Sequence, residues 1–222
     1  YENINPTTDL IPIKPEPHYT MGGIDVDQEC LTSINGLYAV GECANQRVHG
    51  ANRLGGNSLL ELVVFGKKAG KNAAETTNSF DKKIDLPYEK RSAQEKIFEI
   101  QRYTNEINFY EKQKHLADLF YKNVGIKRDQ NSLEDLLSRV KEIRSNLPKM
   151  GALDKTKVYN TNLIEFLEFK NMVEISELVL ISAISRQESR GAHFRSDFQT
   201  TNDEKFKAHT VIDSNGVVSY ED

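Results

Sequence analysis

The spacing of apolar positions changes along this chain, and the changes divide it into three stretches. Prolines at 6, 12, 15 and 17 remove backbone donors and fix φ, so the opening is expected to be extended and loop-like. Residues 22–27 alternate apolar with acidic side chains, a period of two that suits a short strand. Residues 37–40, Leu-Tyr-Ala-Val, form a more apolar run closed by Gly41, the pattern of a strand buried on both faces. A loop rich in glycine and asparagine follows. Ser58 then opens a helix with Leu59, Leu60, Leu62, Val63, Phe65 and Ala69 on one broad side. The unit reads strand, glycine-rich loop, helix.

Beyond Ala74 the pattern shifts. Residues 76–87 are polar and without period, as in a linker. Four helical patterns succeed it, over 88–104, 109–124, 133–147 and 163–190. Ser132 with Asp135, and Asn162 with Glu165, supply capping patterns for the third and fourth, and the fourth is the longest. These predict an antiparallel bundle. Residues 188–198 form a dense polar loop, and 209–220 read as a hairpin turning at Asp213-Ser214-Asn215-Gly216. The expected fold class is therefore α/β plus α. Residues 1–78 form the end of a Rossmann-like domain, 79–190 the bundle, and 191–222 a loop and hairpin.

Composition narrows the function classes. Against 33 acidic residues stand 29 Lys and Arg, a formal charge of −4 with no like-charge block, which argues against a nucleic-acid surface. No apolar run approaches the ~20 residues that span a bilayer, so contact with a membrane would come through a partner. Cys30 and Cys43 have no metal-ligand spacing and read as small buried hydrophobes in a reducing compartment.

Candidate chemistry gathers in residues 17–59. Amides in the first turn of a helix attract anions, which singles out Ser58 and Leu59, although Gly55, Gly56 and Asn57 also suit an ordinary tight turn and cap. Arg53, two residues before the double glycine, suits either a bidentate carboxylate clamp or a solvated surface charge. His18 suits a donor to a second carboxylate or a structural loop residue. Glu42, after Gly41, stands where doubly wound folds place an acid for a ribose diol, or caps a loop. His49 either approaches a cofactor or packs, and His115 lies on a charged helix facing solvent.

The strings HYTMGG, GLYAVGE, HGANRLGGNSLLELVVFG and ESRGAHFRSDF resemble the carboxy-terminal half of the flavoprotein subunit of succinate dehydrogenase and fumarate reductase, in order, across residues 6–210. The resemblance implies that His18 and Arg53 bind the carboxylates of fumarate or succinate and that the backbone at Gly56 lines their pocket. It implies FAD as cofactor, with Glu42 on its ribityl or ribose side and the Ser58 and Leu59 backbone at the pyrimidine edge of its ring. Reduced flavin is anionic there, which agrees with exposed helix amides. Hydride transfer between the flavin and one carbon of the diacid follows, with the proton-donating arginine expected upstream, so no catalytic residue proper is assigned within the chain.

Also implied are an iron–sulfur subunit, through it a membrane quinone-reactive subunit, and a peripheral position on the cytoplasmic face of the inner membrane. Arg190, His193 and Arg195 are expected to hold the helical region against the flavin domain. The chain contains no GxGxxG and no histidine in the family's flavin-attachment context. It is therefore expected to be a fragment that neither retains FAD nor reduces fumarate alone. L-aspartate oxidase shares the architecture and an ESRG segment and is the enzyme alternative; a helical module that docks the iron–sulfur subunit is the other.

Overall fold

The computed structural model describes residues 4–77 and 86–221. It is mostly helical with two small sheets. The first part holds β1 (Ile24–Asp25) paired in parallel with β2 (Ala44–Asn45), followed by α1 (Asn57–Thr77). The helical body comprises α2 (Leu86–Gln101), α3 (Phe109–Asn123), α4 (Gln130–Ser145), a 3-10 turn at Leu147–Lys149, and α5 (Thr161–Ser185). A short α6 (Asp203–Phe206) leads into an antiparallel hairpin of β3 (His209–Ile212) and β4 (Val218–Glu221).

Heptad-like spacing explains the body. Leu133, Leu136, Val140, Ile143 and Leu147 are buried at alternating steps of three and four, as are Phe166, Phe169, Val173, Ser176, Leu180 and Ala183 on α5. The two seams face each other, and α3 adds Phe109 and Leu116 while α2 adds Ile100. Phe109 and Phe166 meet edge to face at 5.5 Å.

Several expectations are corrected. Residues 37–40 do not form a strand: Tyr38 makes only an isolated bridge to Leu31, and Leu37 is exposed. The parallel partner of the 24–25 segment is instead 44–45, beyond the glycine. Pairing is a long-range choice that apolar content cannot make. Asp129, not Ser132, caps α4, its carboxylate accepting from the Ser132 amide at 3.0 Å. Asn160, not Asn162, caps α5, accepting from Leu163 at 2.7 Å. The helix expected over 163–190, α5, stops at Ser185, where Arg186 turns into extended backbone, five residues short of Arg190. The expected linker is narrower than 76–87, with α1 reaching Thr77 and α2 starting at Leu86; the intervening 78–85 lie outside the described residues. Cys30 is buried as expected, but Cys43 is exposed; both are free. The hairpin turns where the sequence places it, with Gly216 at φ 78°.

Candidate functional site

Two loops and one helix start build the site. The 17–23 loop reaches the rest of the first part through Gly23, whose φ of 131° and close approach to the Cys43 carbonyl leave no room for a side chain. Thr20 donates its amide to Glu42 Oε1 at 2.9 Å, tying this loop to the turn after Gly41. A cavity of about 170 Å³ opens between them, lined by His18, Tyr19, Glu42, Ser58 and Leu62. His18, Glu42 and Ser58, singled out separately in the sequence, thus share one cavity. His18 and Glu42 are exposed in it.

Arg53 joins through Tyr19. Its guanidinium carbon lies 4.5 Å from the centre of the Tyr19 ring. Nη1 donates to the Leu54 carbonyl at 3.2 Å, and Nε is buried without a partner. Among the described residues no carboxylate pairs with this guanidinium. Gly56 is exposed at φ 81° with open space on its side-chain side, so a ligand can come close to its backbone. First-turn amides of α1 have no intrahelical acceptor; that of Leu59 turns back to the Gly56 carbonyl at 3.2 Å, and its side chain is exposed.

Beneath Arg53 lies a polar cluster that motif reading missed. Glu61, in the middle of Leu-Leu-Glu-Leu-Val-Val, is only 4% exposed, whereas neighbouring Leu60 and Leu62 are 64% and 46% exposed. Its Oε2 accepts from the Tyr19 hydroxyl at 3.0 Å and meets His49 Nε2 at 2.6 Å. Burial first, and the bond to Glu61 next, push the Tyr19 hydroxyl up to about 12. His49 therefore packs, with its ring edge-on to Tyr19 at 5.4 Å. The signal available in the sequence was an acid interrupting an apolar run, which demands a buried partner.

The 188–198 loop meets the same region by backbone, not by its charged side chains. Ala192 donates its amide to the Ala51 carbonyl at 2.9 Å, two residues from Arg53. Arg195 and His193 instead tie this loop to the helical body. Arg195 bonds the Ala183 carbonyl at 2.9 Å and Gln130 at 2.7 Å, and His193 accepts from Arg128 at 2.8 Å. Arg190 pairs with Glu188, whose burial alone would raise its pKa, but Arg190, the Asn202 amide and Arg186 bring it down to about 2. His115 is exposed on α3, as expected.

Among the described residues no helix is long and apolar enough to cross a membrane, and no group of three or more His, Cys, Asp or Glu could hold a metal ion.

Comparison with known proteins agrees with this layout. Residues 113–222 match the family described as fumarate reductase flavoprotein C-term, and residues 1–59 match the FAD binding domain family. The chain is 35% identical over 215 residues to the fumarate reductase flavoprotein subunit of Haemophilus influenzae, covering 95% of this chain and 36% of that protein. It is 33% identical to the succinate dehydrogenase flavoprotein subunit of Coxiella burnetii, covering 99% and 39%. A solved variant of the Escherichia coli quinol fumarate reductase superposes with a TM-score of 0.91 at 33% identity, over the whole of this chain and 39% of that one. The chain thus spans between 36% and 39% of the length of these three relatives. With two family matches in order, a shared fold and relatives aligned across its length, the chain belongs to the fumarate reductase and succinate dehydrogenase flavoprotein family.

Proposed function

We propose that this chain is part of an FAD-dependent oxidoreductase that interconverts fumarate and succinate, with His18 and Arg53 gripping the two carboxylates. The observation that carries this reading is Arg53: a half-buried guanidinium without an acidic partner among the described residues, set over the ring of the residue that follows His18. Such a group is held ready for a carboxylate that the described residues do not supply. Gly56 offers backbone beside it, open to close approach.

The residues also suit FAD. Glu42 faces the cavity with one oxygen on Thr20, leaving the carboxylate able to accept from a ribityl or ribose hydroxyl. The start of α1 offers the Ser58 amide to the polar edge of a flat ring, and the Leu59 amide, turned to the Gly56 carbonyl at 3.2 Å, would share its hydrogen with that edge. Bound FAD would supply the two-electron step, giving or taking a hydride. Arg53 and His18 would orient the diacid and place fixed donors, one of them the Arg53 cation, where charge builds as its double bond is reduced. The proton is assigned to an arginine outside these residues.

The bare face of α1 bears on the rest of the protein. Leu59, Leu60, Leu62, Val63 and Val64 are exposed, although they form the most apolar run of that helix. We take them to be covered by further flavin-domain structure, which would close the cavity. Residues 1–78, 79–190 and 191–222 are then the end of the FAD domain, the helical body and a closing segment. Electrons would pass to or from an iron–sulfur subunit and, through it, a membrane quinone-reactive subunit. Support comes from the relatives, which are named as subunits, and from neighbours solved as quinol-fumarate reductases. A peripheral position on the cytoplasmic face of the inner membrane belongs to the same proposal.

The test assays the full-length polypeptide beside residues 1–222 alone. We expect the former to oxidise succinate and leave L-aspartate untouched, and the latter to bind no FAD at micromolar concentration. Preferential turnover of aspartate, or FAD binding by the short chain at low micromolar affinity, would contradict the reading.

A further inference from the structure

We propose that Glu61 is a positioning residue for Arg53, acting through the Tyr19 ring; the inference rests on the reading of Arg53 as a carboxylate clamp. The burial pattern of α1 is inverted at this point, with the acid inside and the leucines on either side of it outside. A buried carboxylate persists where it is bonded, and one oxygen of Glu61 holds two side chains from two different loops, Tyr19 Oη at 3.0 Å and His49 Nε2 at 2.6 Å. The phenol is thus tethered at its hydroxyl, and the His49 ring braces it edge-on at 5.4 Å.

That tether fixes the plane on which Arg53 rests. The guanidinium sits 4.5 Å from the ring centre, and among the described residues its one hydrogen bond is to the Leu54 carbonyl next to it in sequence, at 3.2 Å. A direct Glu61–Arg53 ion pair would orient the guanidinium better, but it would occupy the donor fork that a substrate carboxylate needs. Interposing an aromatic ring separates the two tasks. The ring face orients the cation, and Nη2 is left without a partner among the described residues, with one Nη1 donor on the Leu54 carbonyl. Freed of its tether, the ring can rotate about its side-chain bonds, and the guanidinium loses a defined pose.

The test uses the full-length, flavin-loaded protein and reads three quantities: the KM for fumarate, the dissociation constant of malonate by calorimetry, and flavin content. Glu61→Leu removes the acceptor, Glu61→Gln keeps one, Tyr19→Leu removes the platform, and Tyr19→Phe keeps the ring but cuts its tether. We expect Glu61→Leu to raise both constants about tenfold, and Glu61→Gln to stay within about threefold of wild type. Because the two side chains act in series, the Glu61→Leu/Tyr19→Leu double variant is no weaker than Tyr19→Leu alone.

Losses that multiply in the double variant would overturn the proposal, as would unchanged malonate affinity in Glu61→Leu accompanied by lost flavin or a lowered Tm. Should Glu61→Leu not fold, Tyr19→Phe decides: weakened malonate binding supports the tether, and wild-type binding overturns it. Failure of the unmodified protein to bind malonate at all would instead overturn the reading of Arg53.

Discussion

Arg195 has no exposed surface, yet its donors are matched by Asp197 at 2.8 and 2.7 Å, Gln130 at 2.7 Å and the Ala183 carbonyl at 2.9 Å. A buried cation survives on such terms because each N–H is matched. His193, beside it, stays neutral for the complementary reason. Burial first, and then the charges of Arg128, Arg195 and Arg186, lower its pKa from 6.5 to about 4. The sign follows from proton counting. Above pH 6.5 neither the folded nor the unfolded chain holds this proton; between 6.5 and about 4 only the unfolded chain does. Stability therefore falls as pH falls through that window. His193→Gln, which still offers a donor and an acceptor, is expected to flatten the change in urea midpoint between pH 7 and pH 5, while equal slopes would contradict this. The partners of Glu61, 12 and 42 residues away, and Arg128, 65 residues from His193, are not legible in local sequence, although an acid inside an apolar run signals that Glu61 needs one.

At the scale of elements, what the sequence discloses follows the range of the interaction. The α4 and α5 seams were legible because a helix repeats its apolar face within a few residues, and the hairpin because Asp213 to Gly216 carries its own turn chemistry. Cap positions slipped by two or three residues, since Asp129 and Asn160 are as able to cap as Ser132 and Asn162. The strand expected at 37–40 failed because register between strands is settled by distant partners. One contact between elements bears on the site. Gly191 has φ 55°, and a side chain there would run into the Ala51 carbonyl, which also accepts the Ala192 amide. Gly191→Ala is expected to lower unfolding stability by about 1–3 kcal/mol, through left-handed strain and displacement of the loop that carries Arg53. Urea unfolding measures it, and a midpoint equal to wild type would contradict the contact.

At the scale of the whole molecule, the two parts differ in how complete they are. The helical body closes its own core around Phe166, Phe169, Leu133 and Leu136, whereas the first part buries only Val26, Ala39 and Ala44 in its cluster and leaves α1 apolar outside. That contrast agrees with a chain spanning 36% to 39% of its relatives. The sequence motifs singled out His18, Glu42, Arg53 and Ser58 as candidates, because glycine-rich turns and helix starts are local features, and three of them, His18, Glu42 and Ser58, line one cavity. The layer beneath, Tyr19, His49 and Glu61, was not disclosed, since it forms only when two loops fold onto α1.

The central claim is that Arg53 is held for a substrate carboxylate. Its most direct test is fumarate-dependent reoxidation of reduced flavin in the full-length Arg53→Gln protein. We predict a loss in kcat/KM of at least about a thousandfold with flavin content unchanged. Activity within about tenfold of wild type, with flavin still bound, would contradict it.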